Sequence, residues 1–63
     1  VTSEDAQKLE TGDRVTYAAG TPDEIGGTVL GRSGYFAEVV TIMFDDQKPG
    51  AVHVRDMRNY DRR

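Results

Sequence analysis

The stretch from Tyr35 to Phe44 constrains the fold more than any other part of the chain, because it is β-prone throughout and apolar on both faces. Counted at a period of two, Phe36, Val40, Ile42 and Phe44 lie on one side, and Val39 and Met43 on the other. Such a strand needs two covers. The inside of a closed sheet supplies one, and a neighbouring subunit or protein partner supplies the other. Turn signals bound the run: Arg32-Ser33-Gly34 before it, and after it Asp45 to Gly50, where Pro49 and Gly50 act as breakers of a hairpin loop.

The other segments read as shorter strands. After a turn at Thr11-Gly12-Asp13, Arg14-Val15-Thr16-Tyr17 alternates, with Val15 and Tyr17 facing inward and Arg14 and Thr16 outward. Ala18 to Glu24 contains Gly20, Pro22 and two acids without periodicity, which marks a long loop. Gly26 to Gly31 is a strand bracketed by glycines, as where a strand coils sharply or another backbone approaches. Ala51-Val52-His53-Val54 places Val52 and Val54 inward and Ala51 and His53 outward, and Asp56 to Tyr60 reads as a turn and closing strand packed through Met57 and Tyr60. Five short strands with one long first loop and a late tight turn predict an all-β, five-stranded SH3-like barrel over residues 11–63. Residues 1–10 read as an N-terminal arm or short helix: a hydroxyl residue stands three before an acid, and Ala6 and Leu9 share a helical face. A helix this short is ordered only if Leu9 docks on the barrel.

A chain of 63 residues buries only about 60% of its unfolded surface, so its stability is small. With no cysteine and His53 as the single histidine, any zinc site would have to be shared between subunits. No apolar run is long enough to span a bilayer and no signal-like segment opens the chain, so a soluble, cytoplasmic protein is expected. The net charge of −3 argues against general nucleic-acid binding. Its distribution is uneven, acidic at the start and basic at the end, where Arg55, Arg58, Arg62 and Arg63 gather. That end reads either as a solvated surface of mixed charge or as a basic strip for an acidic partner or subunit. The glycines lack the strand-to-helix setting of a phosphate-binding loop. Adjacent acids in a turn, such as Asp45-Asp46, point apart and are solvated, and the aromatics read first as packing material.

Gly12-Asp13-Arg14-Val15, then Gly20, Gly27-Thr28-Val29-Leu30-Gly31 and Pro49-Gly50-Ala51-Val52-His53-Val54, resemble in order and approximate spacing the plasmid-borne type II dihydrofolate reductases. The resemblance covers nearly all of residues 12 to 60. It implies an SH3-like barrel that assembles into a homotetramer whose pore binds NADPH and dihydrofolate together. The positions it marks are Tyr17, Ala51, Val52, His53, Val54 and Arg55. Val52 matches the family's valine and Val54 stands in for its isoleucine, whereas Ala51 replaces a serine, His53 the pore glutamine, Arg55 a tyrosine and Tyr17 approximately the phosphate-attracting lysine. The family's interface tryptophan has no counterpart.

Replacing glutamine, tyrosine and lysine together implies that the barrel is shared and the catalysis is not. Gly-Asp-x-Val followed by Gly-Thr-Val also occurs generically in SH3-like barrels, including KOW and Tudor-like modules. The leading expectation is therefore a non-catalytic barrel, without cofactor, that self-associates as a homo-oligomer or binds a protein partner. Its surface would be Ala51 to Arg55 and the outward face of the long strand. The alternative is an NADPH-dependent dihydrofolate reductase.

Overall fold

The computed structural model describes residues 1–62. Five strands form one antiparallel sheet: β1 (Arg14–Tyr17), β2 (Ile25–Ser33), β3 (Val39–Phe44), β4 (Pro49–His53) and β5 (Tyr60–Arg62), in the order β4-β3-β2-β1-β5. A helical turn, α1 (Ser3–Ala6), precedes them, and a 3₁₀ turn over Val54–Asn59 joins β4 to β5. Consecutive strands pair as hairpins until the 3₁₀ turn carries the chain back, so that β5 pairs with β1 through Val15↔Arg62, Thr16↔Asp61 and Tyr17↔Tyr60. This is the all-β, SH3-like strand order expected from the sequence. No helix among the described residues is long and apolar enough to cross a membrane.

Strand β1 spans the expected residues, while other boundaries move for identifiable reasons. Strand β2 runs through Arg32 and Ser33 instead of turning there, and its register against β3 shifts between Val29 and Gly31. The extra residue, Leu30, projects outward at 45% exposure. Strand β3 begins only at Val39, so Tyr35 and Phe36 lie in a turn and not in the strand. Gly34 and Ala37 hold φ of 93° and 55°, and the Ala37 N–H donates to the Gly34 carbonyl at 3.1 Å, a geometry no strand can continue through.

Pro49 and Gly50 belong to β4, not to the hairpin loop. Gln47, with φ of 66°, takes the left-handed position, and its N–H donates to the Phe44 carbonyl at 2.8 Å. Proline is tolerated because β4 lies at one end of the strand order. Gly50 leaves space for an aromatic ring, since a Cβ there would sit 2.8 Å from Phe44 Cε2. Val54, expected at the end of the strand, opens the 3₁₀ turn instead.

The core comprises Val15, Val29, Val40, Ile42, Val54, Met57 and Tyr60, with Ala6 and Leu9 from the arm. Inward pairing through Val29↔Ile42 and Val40↔Val52 sets its middle layer. Thr16 departs from its expected outward place: it is 2% exposed, and its hydroxyl has no hydrogen-bond partner among the described residues. The arm is ordered as its patterning requires. Thr2 Oγ1 accepts from the Asp5 N–H at 3.1 Å, α1 packs on the 3₁₀ turn, and Leu9 is buried, a contribution of about 1.5–3 kcal/mol.

At Gly27 the sheet is tightly built against the core, because a Cβ there would lie 2.6 Å from Ile42 Cγ2. Gly27→Ala is expected to destabilise the domain by about 1–3 kcal/mol in urea unfolding. Gly31→Ala, whose nearest atom would be Thr11 Oγ1 at 4.0 Å, is expected to be neutral or to stabilise by about 0.4–1 kcal/mol.

Candidate functional site

The register of β3 against β4 sets Val39 opposite His53, Thr41 opposite Ala51 and Met43 opposite Pro49. Because strand side chains alternate, these six face away from the core that holds Val40 and Ile42. Val39 and Met43 are half-buried, while Pro49 and Ala51 are exposed. The turn before β3 leads into this strand. There Tyr35 is 93% and Phe36 75% exposed, with ring centroids 4.7 Å apart and planes at 86°, edge to face. A Cβ on Gly34 would lie 3.6 Å from Val39 Cγ2, so the turn abuts the first outward side chain of β3.

Beside Phe36 opens a cavity of about 350 Å³ lined by Gln7, Arg32, Phe36, Ala37 and Glu38. Arg32 is central to it. Its Nη2 donates to the carbonyls of Ala6 at 2.6 Å and Leu9 at 2.9 Å, its Nε to Leu9 at 3.2 Å, and its Nη1 to Ala37 at 3.3 Å. The half-buried guanidinium thus joins the last turn of the arm to the aromatic turn. Among the described residues no carboxylate forms an ion pair with it, and its donors go to carbonyls, with Glu38 lining the same cavity.

His53 closes the far side of this region. Its Nδ1 accepts from the Arg55 N–H at 3.2 Å, which leaves the ring proton on Nε2 to be donated to Glu38 Oε2 at 2.8 Å. The Glu38 carbonyl in turn accepts from the Val54 N–H at 2.8 Å. Held at both nitrogens, His53 caps the 3₁₀ turn and ties it to the segment entering β3.

The remaining residues singled out from the sequence do not gather with His53. Ala51 and Arg55 are exposed, Val52 packs partly against the core, and Val54 is inside it at 4% exposure. Tyr17 lies on β1, separated from β4 by β2 and β3, with its ring 5.0 Å from that of Tyr60. Burial pushes the Tyr60 phenol above its ordinary value, and the neighbouring Tyr17 phenol adds to the shift.

The basic end does not form a continuous strip either. Arg62 pairs with Asp13 at 3.3 Å, Arg55 and Arg58 stand on the 3₁₀ turn, and Arg63 lies outside the described residues. Asp45, expected to be solvated, grips Arg14 through two bonds of 3.1 and 3.0 Å, and its hydrogen bond raises the Arg14 guanidinium above its ordinary value. Gly26 leaves room for that pair: a Cβ there would sit 2.6 Å from Asp45 Oδ2. A second, shallow cavity of about 430 Å³ lies between the loop after β1 and the 3₁₀ turn, lined by Ala18, Asp23, Arg58 and Asp61 among others.

Compared with protein-family models, with curated proteins and with solved structures, the chain matches none.

Sequence reasoning placed the outward face of β3 but missed Arg32, which it assigned to a turn. Its partners are carbonyls 23 and 26 positions earlier, contacts for which side-chain chemistry leaves no local trace. Arg32→Met keeps much of the stem and removes the donors. It is expected to lower stability by about 2 kcal/mol, and amide exchange is expected to quicken at Leu9 and Ala37 together while β1 keeps its protection. Exchange changing at neither site would refute the clamp.

Proposed function

We propose that this chain is a non-catalytic binding barrel that associates with a second copy of itself, using the solvent face of β3 and β4 and the aromatic turn that precedes it. The observation that carries this reading is the exposure of Tyr35 and Phe36, 93% and 75%, as two rings in edge-to-face contact in the turn that leads into β3. Single exposed apolar side chains are ordinary, whereas a contiguous patch marks a surface that meets something. Two features favour the face over the free edge. Pro49 withholds a donor from the β4 backbone, and Asp45, Asp46 and Lys48 charge the turn at that end, both of which discourage strand addition.

The aromatic turn also suits binding because it is ordered before contact. The hydrogen bond from Ala37 to Gly34 and the Arg32 donation to Ala37 hold the two rings in place, so less conformational entropy is lost on docking. Tyrosine in particular supplies a large contact area from few rotatable bonds.

Reductase chemistry draws less support. Val54 and Tyr17 are committed to packing and His53 to Glu38, so NADPH and dihydrofolate would be oriented mainly by Ala51 and Arg55 from symmetry-related subunits. In sedimentation equilibrium from micromolar to near-millimolar concentration, the apparent mass is expected to rise above that of the 7.0 kDa monomer. A monomer throughout would contradict the proposal. At near-millimolar protein, NADPH is expected to stay unoxidised in the presence of dihydrofolate, and turnover above background would favour the reductase.

A further inference from the structure

We infer that His53 is a proton-sensitive cap: neutral, its ring holds the start of the Val54–Asn59 turn through Nδ1, and charged, it releases that hold while keeping Glu38. The device lies within one chain and stands apart from self-association. Its basis is the direction of two hydrogen bonds. A backbone N–H can only donate, so Nδ1, which accepts from the Arg55 N–H at 3.2 Å, carries a lone pair and no proton. The neutral ring then has its proton on Nε2, facing Glu38 Oε2 at 2.8 Å. A second proton must go to Nδ1, where two donors would point at each other. The Arg55 N–H loses its acceptor, while the contact with Glu38 becomes an ion pair.

The usual capping side chains, Ser, Thr, Asp and Asn, keep their acceptor oxygen throughout the neutral range. Imidazole gives its acceptor up between about pH 5 and 8. Both His53 and Glu38 are partly exposed, so the proton reaches the ring from water without unfolding. Val54 is held separately, because its N–H donates to the Glu38 backbone carbonyl, which no side-chain proton disturbs. The charges around the ring come from several elements. Glu38 stands on the segment entering β3, and Arg32 of β2 lines the same cavity as Glu38. Arg55, Asp56 and Arg58 follow on the 3₁₀ turn and are exposed, as are Glu4 and Asp5 of α1, which packs on that turn. Val39, opposite His53 in the register, brings no charge. Among the described residues, Glu38 is the carboxylate that pairs with the ring.

The test is nuclear magnetic resonance of the isotope-labelled full chain, titrated from about pH 8 to about pH 5 at a low and a high protein concentration. Ring-nitrogen shifts are expected to place the proton on Nε2 at the alkaline end. As the ring charges, the Arg55 amide is expected to lose about threefold to tenfold of its exchange protection, measured against an unstructured chain at the same pH, while Val54 keeps its own. His53→Asn supplies an acceptor that does not titrate and is expected to hold Arg55 protection level across the range. Glu38→Gln removes the charge facing Nε2 and is expected to move the Arg55 response to lower pH, because the charged ring loses its counter-ion. Circular dichroism confirms folding of both variants, and the wild-type tautomer and Arg55 response decide the matter even where a variant fails to fold. A proton on Nδ1 at the alkaline end, an Arg55 amide indifferent to the charging of the ring, or an equal response in His53→Asn would overturn the inference. A response seen only at the high concentration would overturn it too, by assigning the change to association.

Discussion

One half-buried guanidinium connects the parts of this small domain that would otherwise be separate. Arg32 reaches the carbonyls of Ala6 and Leu9 on one side and of Ala37 on the other, closing the arm over the end of the barrel and bracing the aromatic turn. Its place depends on the register shift in β2, which sets Leu30 aside and lets the strand continue to Ser33. A charged group bonded to several carbonyls costs desolvation but leaves few backbone acceptors unmet, and at a helix C-terminus it also meets the favourable end of the dipole. The arm then adds Ala6 and Leu9 to a core that a chain of this length struggles to fill.

Close packing on the sheet follows from where side chains are missing. Gly27 admits Ile42, Gly50 admits the Phe44 ring, and Gly26 admits the Arg14–Asp45 pair. Each is a position where one residue gives up its own packing so that a neighbour fits. These approaches let β2, β3 and β4 curve around a core whose largest members are Ile42 and Met57.

Much of the fold was legible because alternation and turn chemistry agree along most of the chain. Val15, Val40, Ile42, Met57 and Tyr60 are buried as their patterning implies, β1 spans Arg14–Tyr17 as expected, and Leu9 docks. Misreadings arose where backbone conformation overrode composition. Tyr35 and Phe36 are strong strand formers, yet the left-handed residues on either side bend them into a turn, and Gln47, not Pro49-Gly50, takes the left-handed position of the next hairpin. Thr16 was assigned outward by parity but is buried. The candidate site was less legible. Its outer face could be read from the apolar residues of β3, whereas the cavity beside Phe36 is assembled from Gln7, Arg32 and Glu38, which no local pattern brings together.

The same misreading carries the functional account. Had Tyr35 and Phe36 continued the strand, they would have split between the two faces of the sheet. As a turn, both stand exposed with their rings edge to face. Isotope-filtered nuclear Overhauser spectroscopy on a mixture of labelled and unlabelled chain tests this most directly. The account predicts intermolecular contacts from the Tyr35 and Phe36 rings. Intermolecular contacts confined to Thr41, Ala51 and Met43, with none from Tyr35, would contradict it.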